Sequence, residues 1–332
     1  MAFQIIKHFC VPLAAKEPCI VVRGGASHLS LNYDKVMSAL ELIAKESYKL
    51  LKLKLPSTDA VEETIKFLEE NPIFNCGCQS ILNDPRNGQV ENHASIMEGK
   101  NMKFGCVSSI DSSKHPISVA RAIMERSLGS CFLVGTSALR FAEKCRVPTV
   151  HGRRMFLDIS NACKKTLDTK CDCPVGELGK PSDADGCEQV DWKKCHGGVG
   201  VVAMDEYGNM AAGASCSALV GKTEAGISGE HLIGSGVYAK NTKGAVSVSG
   251  NCSQLISLCA ACRLMKAKDQ SAAWNILQYF SHFSDDAFGA IYINREGRIG
   301  VYTLKGQMPW YVIKGSGIRC GDYLPGCYSG FT

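Results

Sequence analysis

Thiol and imidazole side chains between residues 171 and 196 are the first candidates for chemistry. Cys171, Cys173, Cys187 and Cys195 could bind zinc through sulfur, but their spacing contains no Cys-x-x-Cys pair, so a metal site is the less favoured interpretation. Cys195 could also serve as a thiol nucleophile, and His196 as a base. Both lie in a polar, irregular stretch, which favours a surface cysteine and a loop histidine without a catalytic role.

Two glycine-rich stretches could in principle bind phosphate groups. Residues 234–239 match a dinucleotide-binding fingerprint in form, but they open no periodic helix, and no acidic residue stands about 20 positions later. Gly197 and Gly198 are not followed by the Lys-Ser/Thr of a phosphate-binding loop. The sequence therefore predicts a plain turn at the entry to a strand, no cofactor and no metal.

The composition is that of an ordinary globular protein. The chain has 332 residues, of which 45% are hydrophobic and 21% charged. The formal net charge of +5 is mild and the Lys and Arg residues are scattered, which argues against a nucleic-acid groove. No apolar run approaches the roughly 20 residues that cross a bilayer. We therefore predict neither a nucleic-acid nor a membrane partner.

The 18 cysteines bear on the compartment. The chain is long for a disulfide-stapled secreted domain, and a Lys, a His and a Pro interrupt the apolar stretch of residues 1–15 that a secretory signal would need. These features predict a cytoplasmic protein. Most cysteines stand among apolar neighbours and are predicted to pack as small hydrophobic side chains, for example Cys106, Cys131, Cys259 and Cys262.

A β-hairpin is predicted immediately after Gly198. The chain becomes apolar and β-prone at Val199, turns at residues 205–209 and returns through the small residues 210–215. Residues 198–212 read Gly-Val-Gly-Val-Val-Ala-Met-Asp-x-x-Gly-Asn-x-Ala-Ala. This series resembles the start of the β-subunit in N-terminal-nucleophile hydrolases of the asparaginase family, which includes isoaspartyl peptidase/L-asparaginases, glycosylasparaginases and taspase (threonine aspartase).

Further motifs carry the same resemblance in the right order over about residues 18–320. Residues 94–99 (Ala-Ser-Ile-Met-Glu-Gly) and 308–310 (Met-Pro-Trp) are similar to family motifs, although His93 stands where the family usually has an Asp. The resemblance implies a four-layer αββα sandwich. It also implies that residues 1–17 are an N-terminal segment, 18–150 an α-subunit-like half, 151–197 a flexible linker before the family cleavage site, and 198–332 a β-subunit-like half of the same domain.

The resemblance places the family's catalytic threonine at Gly198. In family members that threonine cleaves the chain before itself, and its freed α-amine then acts as the base for its own hydroxyl. The family's second small hydroxyl falls on Cys216, and the oxyanion-hole run falls on Ser249 and Gly250. Glycine has no hydroxyl, so neither cleavage nor attack can start at residue 198.

The resemblance also implies that the substrate-binding charges are lost. The family's Arg, which pairs the substrate carboxylate, falls on Gly226, and its Asp, which binds the substrate amine, falls on Gly229. Cys252 stands where a further glycine is usual. Lys222 and His231 are the only basic residues near these positions in the sequence, and neither clearly replaces the lost Arg.

Hydrophobic periodicity predicts strands and helices in blocks, in keeping with stacked sheets covered by helices. The predicted strands cover residues 18–26, 90–99, 103–110, 131–135, the two hairpin arms, 245–248, 289–294 and 298–304. The predicted helices cover residues 34–54, 57–71 (with an N-cap from residues 57–59), 116–128, 137–144, 253–266 and 271–283.

Three functions stay open on the sequence. The leading hypothesis is an unprocessed, inactive family member that acts as a scaffold or partner, as a homodimer or as a heterodimer with a paralogue. The second is an active threonine-type amidohydrolase or peptidase (L-asparaginase, isoaspartyl peptidase or threonine aspartase) acting on a small amide. The third is an enzyme that uses a cysteine thiol on the same fold.

Overall fold

The structure, a computed structural model, describes residues 16–27, 33–77, 91–127, 129–149, 197–217, 227–267, 270–283, 285–321 and 329–330. The predicted linker at 151–197 and the predicted N-terminal segment therefore lie almost wholly outside the described residues. So do Cys171, Cys173, Cys187, Cys195 and His196. Among the described helices, none is long and apolar enough to span a bilayer.

The larger of two sheets contains the predicted hairpin at its centre. Its strands are β1 (Cys19–Arg23), β2 (Asn92–Glu98), β3 (Phe104–Ile110), β4 (Phe132–Val134), β5 (Val199–Met204), β6 (Met210–Ser217), β11 (Trp310–Lys314) and β12 (Gly317–Gly321). They lie in the order β12-β11-β1-β5-β6-β2-β3-β4, and the pairs are antiparallel except β3 with β4. Chain segments before and after residues 151–197 thus interleave in one sheet.

The second sheet is built from the C-terminal part of the chain. Its strands are β7 (Val237–Lys240), β8 (Gly244–Ser249), β9 (Phe288–Asn294), β10 (Ile299–Leu304) and β13 (Ser329–Gly330). They lie in the order β13-β10-β9-β8-β7, with antiparallel pairing. A short 3-10 helix, Gly229–His231, precedes β7. Residues 237–240 form a strand, in keeping with the rejection of a nucleotide fingerprint there.

Helices cover the outer faces of both sheets. They are α1 (Tyr33–Lys52), α2 (Ser57–Glu70), α3 (Pro116–Arg126), α4 (Gly135–Lys144), α5 (Cys252–Ser257), α6 (Ala260–Lys266) and α7 (Gln270–Ser281). The alternating side chains of β1 show how the layers arise: Ile20 and Val22 pack against α1–α4, whereas Cys19 and Val21 face the second sheet. Residues of α5–α7 pack on the far side of that second sheet. The predicted four-layer αββα fold is confirmed.

Two local predictions are wrong for identifiable reasons. The helix predicted over 253–266 is broken into α5 and α6, because Cys259 adopts a left-handed backbone with φ of 46°. The predicted side-chain cap of α2 from residues 57–59 is absent. Instead the N–H of Ser57 donates to Asp205 Oδ2 at 3.2 Å, and Oδ1 of the same Asp205 accepts from two backbone N–H groups of the hairpin turn.

Candidate active site around Gly198

Gly198 directly precedes β5 and packs against residues 215 and 216 of β6. Its N–H donates to Glu230 Oε2 at 2.9 Å, and its carbonyl accepts from Arg23 Nη1 at 3.4 Å. A Cβ placed on Gly198 would lie 2.1 Å from the carbonyl oxygen of Ser215 and 2.4 Å from the Cβ of Cys216. Because a backbone carbonyl in a sheet cannot move aside easily, the structure leaves no room for a side chain at residue 198.

The carboxylate of Glu230 is the centre of this site. Glu230 is only 2% exposed. Its Oε1 accepts from the hydroxyl of Ser249 at 2.6 Å and from the N–H of Gly250 at 3.1 Å. Its Oε2 accepts from Gly198 and lies 3.7 Å from Arg23 Nη1. Both oxygens of a buried charge are therefore held by donors and by an opposite charge, as burial requires.

Arg23, at the end of β1, supplies that opposite charge from a fully buried position. Its Nε and Nη2 contact Ser247 Oγ at 3.2 and 3.1 Å, and Nη2 also donates to the carbonyl of Val248 at 2.8 Å. Its Nη1 donates to the carbonyl of Gly24 at 3.2 Å. Burial lowers the pKa of Arg23 from its ordinary value, and the negative charge of Glu230 opposes that shift. The guanidinium ties the first sheet to β8 of the second.

Ser249 and the glycines around it form a closed junction between the two sheets. The Ser249 hydroxyl donates to Glu230 and accepts from the N–H of Ala26 at 2.9 Å. Gly197 approaches from the other side with φ of 110°, and a Cβ placed there would lie 2.5 Å from Ser249 Oγ. The single hydrogen of this hydroxyl is therefore donated within the protein.

A second cluster, of thiol and imidazole groups, lies beside Gly198. The Sγ of Cys216 is 3.9 Å from His231 Nδ1, and His231 Nε2 is 2.6 Å from the hydroxyl of Ser108. The ring of His93 stacks on His231 with 5.0 Å between centroids, and its Nδ1 accepts from the N–H of Ser109 at 3.1 Å. All four side chains of Cys216, His231, Ser108 and His93 are 2% exposed or less.

The predicted substrate-binding positions are only partly described. Gly229 begins the 3-10 helix, and a Cβ placed there would lie 2.8 Å from the carbonyl oxygen of Cys252. Cys252 is half-buried, and its thiol donates to the carbonyl of Ile227 at 3.2 Å. Gly226 and Lys222 lie outside the described residues. Within the described ranges, no three Cys, His, Asp or Glu side chains are grouped as metal ligands would be.

Four residues that the family resemblance assigns to the site lie close together in the structure. The sequence analysis did not predict the two charged residues beside them, Arg23 and Glu230. Gly198 packs on Cys216, and Glu230 links Gly198 to Ser249 and Gly250. Lys222 and His231 are the basic residues near position 226 in the sequence, but the cation beside Gly198 is Arg23, which is remote from both in the sequence. A signal was present: an arginine that ends an apolar strand needs a buried acid as its partner.

The fold and this site define the class of protein. The chain matches the asparaginase family over residues 16–321 and belongs to that family, within the N-terminal-nucleophile hydrolase superfamily.

Curated relatives are similar over almost the whole chain. The isoaspartyl peptidase/L-asparaginase of mouse is 33% identical over 308 residues, which cover 91% of this chain and 89% of the mouse protein. The bovine protein of the same name is 33% identical over 317 residues, covering 92% and 97%. The human one is 31% identical over 312 residues, covering 92% and 96%.

Proposed function

We propose that this asparaginase-family chain is neither cleaved at residue 198 nor able to hydrolyse asparagine, and that it acts as a folded scaffold or partner. The observation that carries the proposal is the closed packing at Gly198. A hydroxyl-bearing side chain is absent from that position, and a Cβ there would lie 2.1 Å from Ser215 O. In a hydrolase of another fold, loss of the nucleophile lowers turnover about 10⁶-fold.

The internal carboxylate of Glu230 supports the same proposal. Stabilising an oxyanion requires donors that point at the place where charge develops. Here the Ser249 hydroxyl and the Gly250 N–H, the two groups that the family resemblance assigns to that task, both donate to Glu230. The Arg23 guanidinium, which could attract a substrate carboxylate, faces Glu230 as well. A substrate would have to displace a buried ion pair to reach these donors.

An active threonine-type amidohydrolase or peptidase is the alternative, and the names of the mouse, bovine and human relatives favour it. A third candidate is a thiol-dependent activity, which the Cys216–His231–Ser108 cluster favours. There a thiol faces an imidazole whose other nitrogen is held by a hydroxyl, an arrangement of nucleophile, base and orienting group.

One experiment separates the three candidates. Purified protein is incubated, its intact mass is measured, and ammonia release from asparagine and an isoaspartyl dipeptide is assayed beside the mouse relative as positive control. We expect a single chain of 35.8 kDa and ammonia release at background. Fragments with a new N-terminus at Gly198, together with ammonia release, would contradict the proposal. Release from the intact chain that disappears in Cys216→Ala would instead support the thiol candidate.

We further propose a cytoplasmic location, in support of which the 18 cysteines suit a compartment that keeps thiols reduced. Fractionation of cells expressing the full chain tests this, and recovery in the secreted fraction would contradict it.

A further inference from the structure

Cys259 and Cys262 form a Cys-x-x-Cys pair at the break between α5 and α6. Cys259 is the residue that precedes α6, with a left-handed backbone (φ 46°, ψ 51°), and Cys262 lies in the first turn of that helix. Cys259 is exposed and Cys262 is half-buried. The sequence prediction that these cysteines pack as small hydrophobic side chains is therefore wrong for Cys259, and it is wrong for Cys131, which is also exposed.

The spacing brings the two thiols side by side. Cys259 directly precedes α6 and Cys262 is the third residue of that helix, so less than one helical turn of backbone separates them. A disulfide needs Cα atoms within about 4.4–6.8 Å and Cβ atoms somewhat closer, a separation that residues less than one helical turn apart can reach. The thiols also influence each other electrostatically, since negative charge on Cys259 raises the pKa of Cys262.

The two thiols have different environments. The N–H of Cys262 donates to the carbonyl of Gly234 at 2.9 Å, and a Cβ placed on Gly234 would lie 3.4 Å from Cys262 Sγ, so this thiol faces the loop before β7. Burial raises the pKa of Cys262, and Lys266 partly opposes that shift. Cys259 makes one long contact, from Sγ to the carbonyl of Ile256 at 3.7 Å. One thiol is thus open to a reagent and the other is shielded behind it.

We propose that Cys259 and Cys262 form a thiol–disulfide exchange site whose substrates are low-molecular-weight disulfides of the glutathione type. The Cys259 thiolate attacks one sulfur of the small disulfide, which releases one thiolate and leaves a mixed disulfide on Cys259. The Cys262 thiol then loses its proton to solvent and attacks Cys259 Sγ. This step releases the second small thiolate and closes a Cys259–Cys262 disulfide, so that two protein thiols are oxidised and one small disulfide is reduced.

The test follows these steps by mass spectrometry after reaction with oxidised glutathione. Trypsin, which cleaves after Lys243 and Arg263, releases residues 244–263 as one peptide that also contains Cys252. All proteins compared therefore carry Cys252→Ser. With both cysteines of the pair present, we expect this peptide to lose two hydrogen masses and to carry no glutathione.

Two variants separate the roles of the thiols. With Cys262→Ser, the mixed disulfide has no partner to resolve it, and one glutathione should accumulate on Cys259. With Cys259→Ser, reaction at Cys262 should be slower than reaction at Cys259 in the Cys262→Ser protein, because Cys262 is half-buried and burial raises the pKa of its thiol. Thermal unfolding of each variant shows that it is folded.

Cys131 provides a matched internal control. It is exposed, and its carbonyl accepts from the N–H of Cys106, but burial raises the pKa of the Cys106 thiol to about 12. Cys131 should therefore keep its glutathione. If residues 244–263 of the Cys252→Ser protein carry glutathione on both cysteines or on neither, without a disulfide, the proposal is overturned. The readout is independent of hydrolytic activity at residue 198.

Discussion

At the scale of single residues, the candidate site is organised by a buried ion pair. Arg23 and Glu230 are 207 residues apart in the sequence, and each has nearly all of its polar atoms engaged by neighbouring backbone and hydroxyl groups. Taking two charges out of water costs several kcal/mol each, and good hydrogen-bond geometry has to offset that cost. Such a pair is sensitive to the loss of one member.

Glu230→Gln should therefore destabilise the protein. The change leaves Arg23 buried without its counter-charge, which typically costs about 3–5 kcal/mol. Urea unfolding followed by circular dichroism measures the free energy of unfolding. Glu296→Gln, which removes a carboxylate from an exposed pair with Arg295, is the control and should have no measurable effect. A Glu230→Gln protein as stable as the control would show that the ion pair does not hold the site together.

Gly198→Thr should not create an active hydrolase. The new Cβ would meet Ser215 O at 2.1 Å, so the strand entry has to shift, at a cost of about 1–3 kcal/mol or more for an overpacked interior. The donors at Ser249 and Gly250 would still be engaged by Glu230. We expect lower stability, no self-cleavage and no ammonia release from asparagine.

The controls for this variant are Gly317→Ala and a triple variant. Gly317 is exposed on the edge strand β12, and a Cβ there would lie 3.3 Å from the carbonyl of Lys314, a tight contact that a small shift of the edge strand relieves, so alanine should cost less there than threonine at residue 198. The triple variant Gly198→Thr, Gly226→Arg, Gly229→Asp restores the charges that the family resemblance assigns to substrate binding. If Gly198→Thr alone turns over asparagine at ordinary enzymatic rates, the assignment of Gly226 and Gly229 is wrong.

Among the secondary-structure elements, α2, α3 and β6 meet at the buried carboxyl group of Glu69. It lies at the end of α2 and is fully buried. Its Oε1 accepts from the N–H of Ile117 in the first turn of α3 at 3.1 Å and from the hydroxyl of Ser215 on β6 at 2.6 Å. Its Oε2 lies 3.4 Å from His115 Nδ1. Burial raises the pKa of Glu69, and contacts with His115 and Ser215 oppose that shift.

Glu69→Gln should change how stability depends on pH. Because the pKa of Glu69 is higher in the folded protein, the folded state binds this proton more tightly, and its contribution to stability is full below the unfolded pKa of about 4.3. That contribution is lost as pH rises through the folded pKa. Free energies of unfolding measured from pH 4 upward should therefore fall more for the wild type than for Glu69→Gln.

Glu70→Gln is the matched control, with the opposite sign. A hydrogen bond from Lys114 lowers the pKa of Glu70, so its contribution is present above about pH 4.3 and is lost as pH falls. With the measurements extended below pH 4, the wild type should therefore lose stability relative to Glu70→Gln as pH falls below about 4.3. If both variants follow the wild-type profile, neither carboxyl group titrates as its surroundings imply.

At the scale of the whole molecule, we expect the chain to associate in pairs, as the family resemblance implies. Light scattering coupled to size exclusion should give twice 35.8 kDa at micromolar concentration. A mass of one chain would contradict the homodimer and leave association with a paralogue, which co-expression and co-purification would then test.

Local patterns were enough to predict most elements of this fold. Periodicities of 2 and 3.6 depend on neighbouring residues only, so β1, α1, β5 and β6 were found close to their observed bounds, and the motif at 198–212 identified the family. Separate runs that resemble the family predicted that Cys216, Ser249 and Gly250 lie near Gly198. The bounds of these elements and the family motifs depend on the local order of residues, so the sequence alone is enough to predict them.

Only the tertiary structure decided what that site contains. The approach of Arg23 to Glu230 depends on how β1 and the 3-10 helix at Gly229–His231 are both placed beside Gly198, and no local sequence pattern predicts it. The cap that Asp205 gives to α2 is similarly remote in sequence. The break at Cys259, which exposes one thiol of a Cys-x-x-Cys pair, occurs inside a run with good helical periodicity. Contacts between residues far apart in the sequence follow from the packing of whole layers. That packing determines which groups lie next to each buried charge.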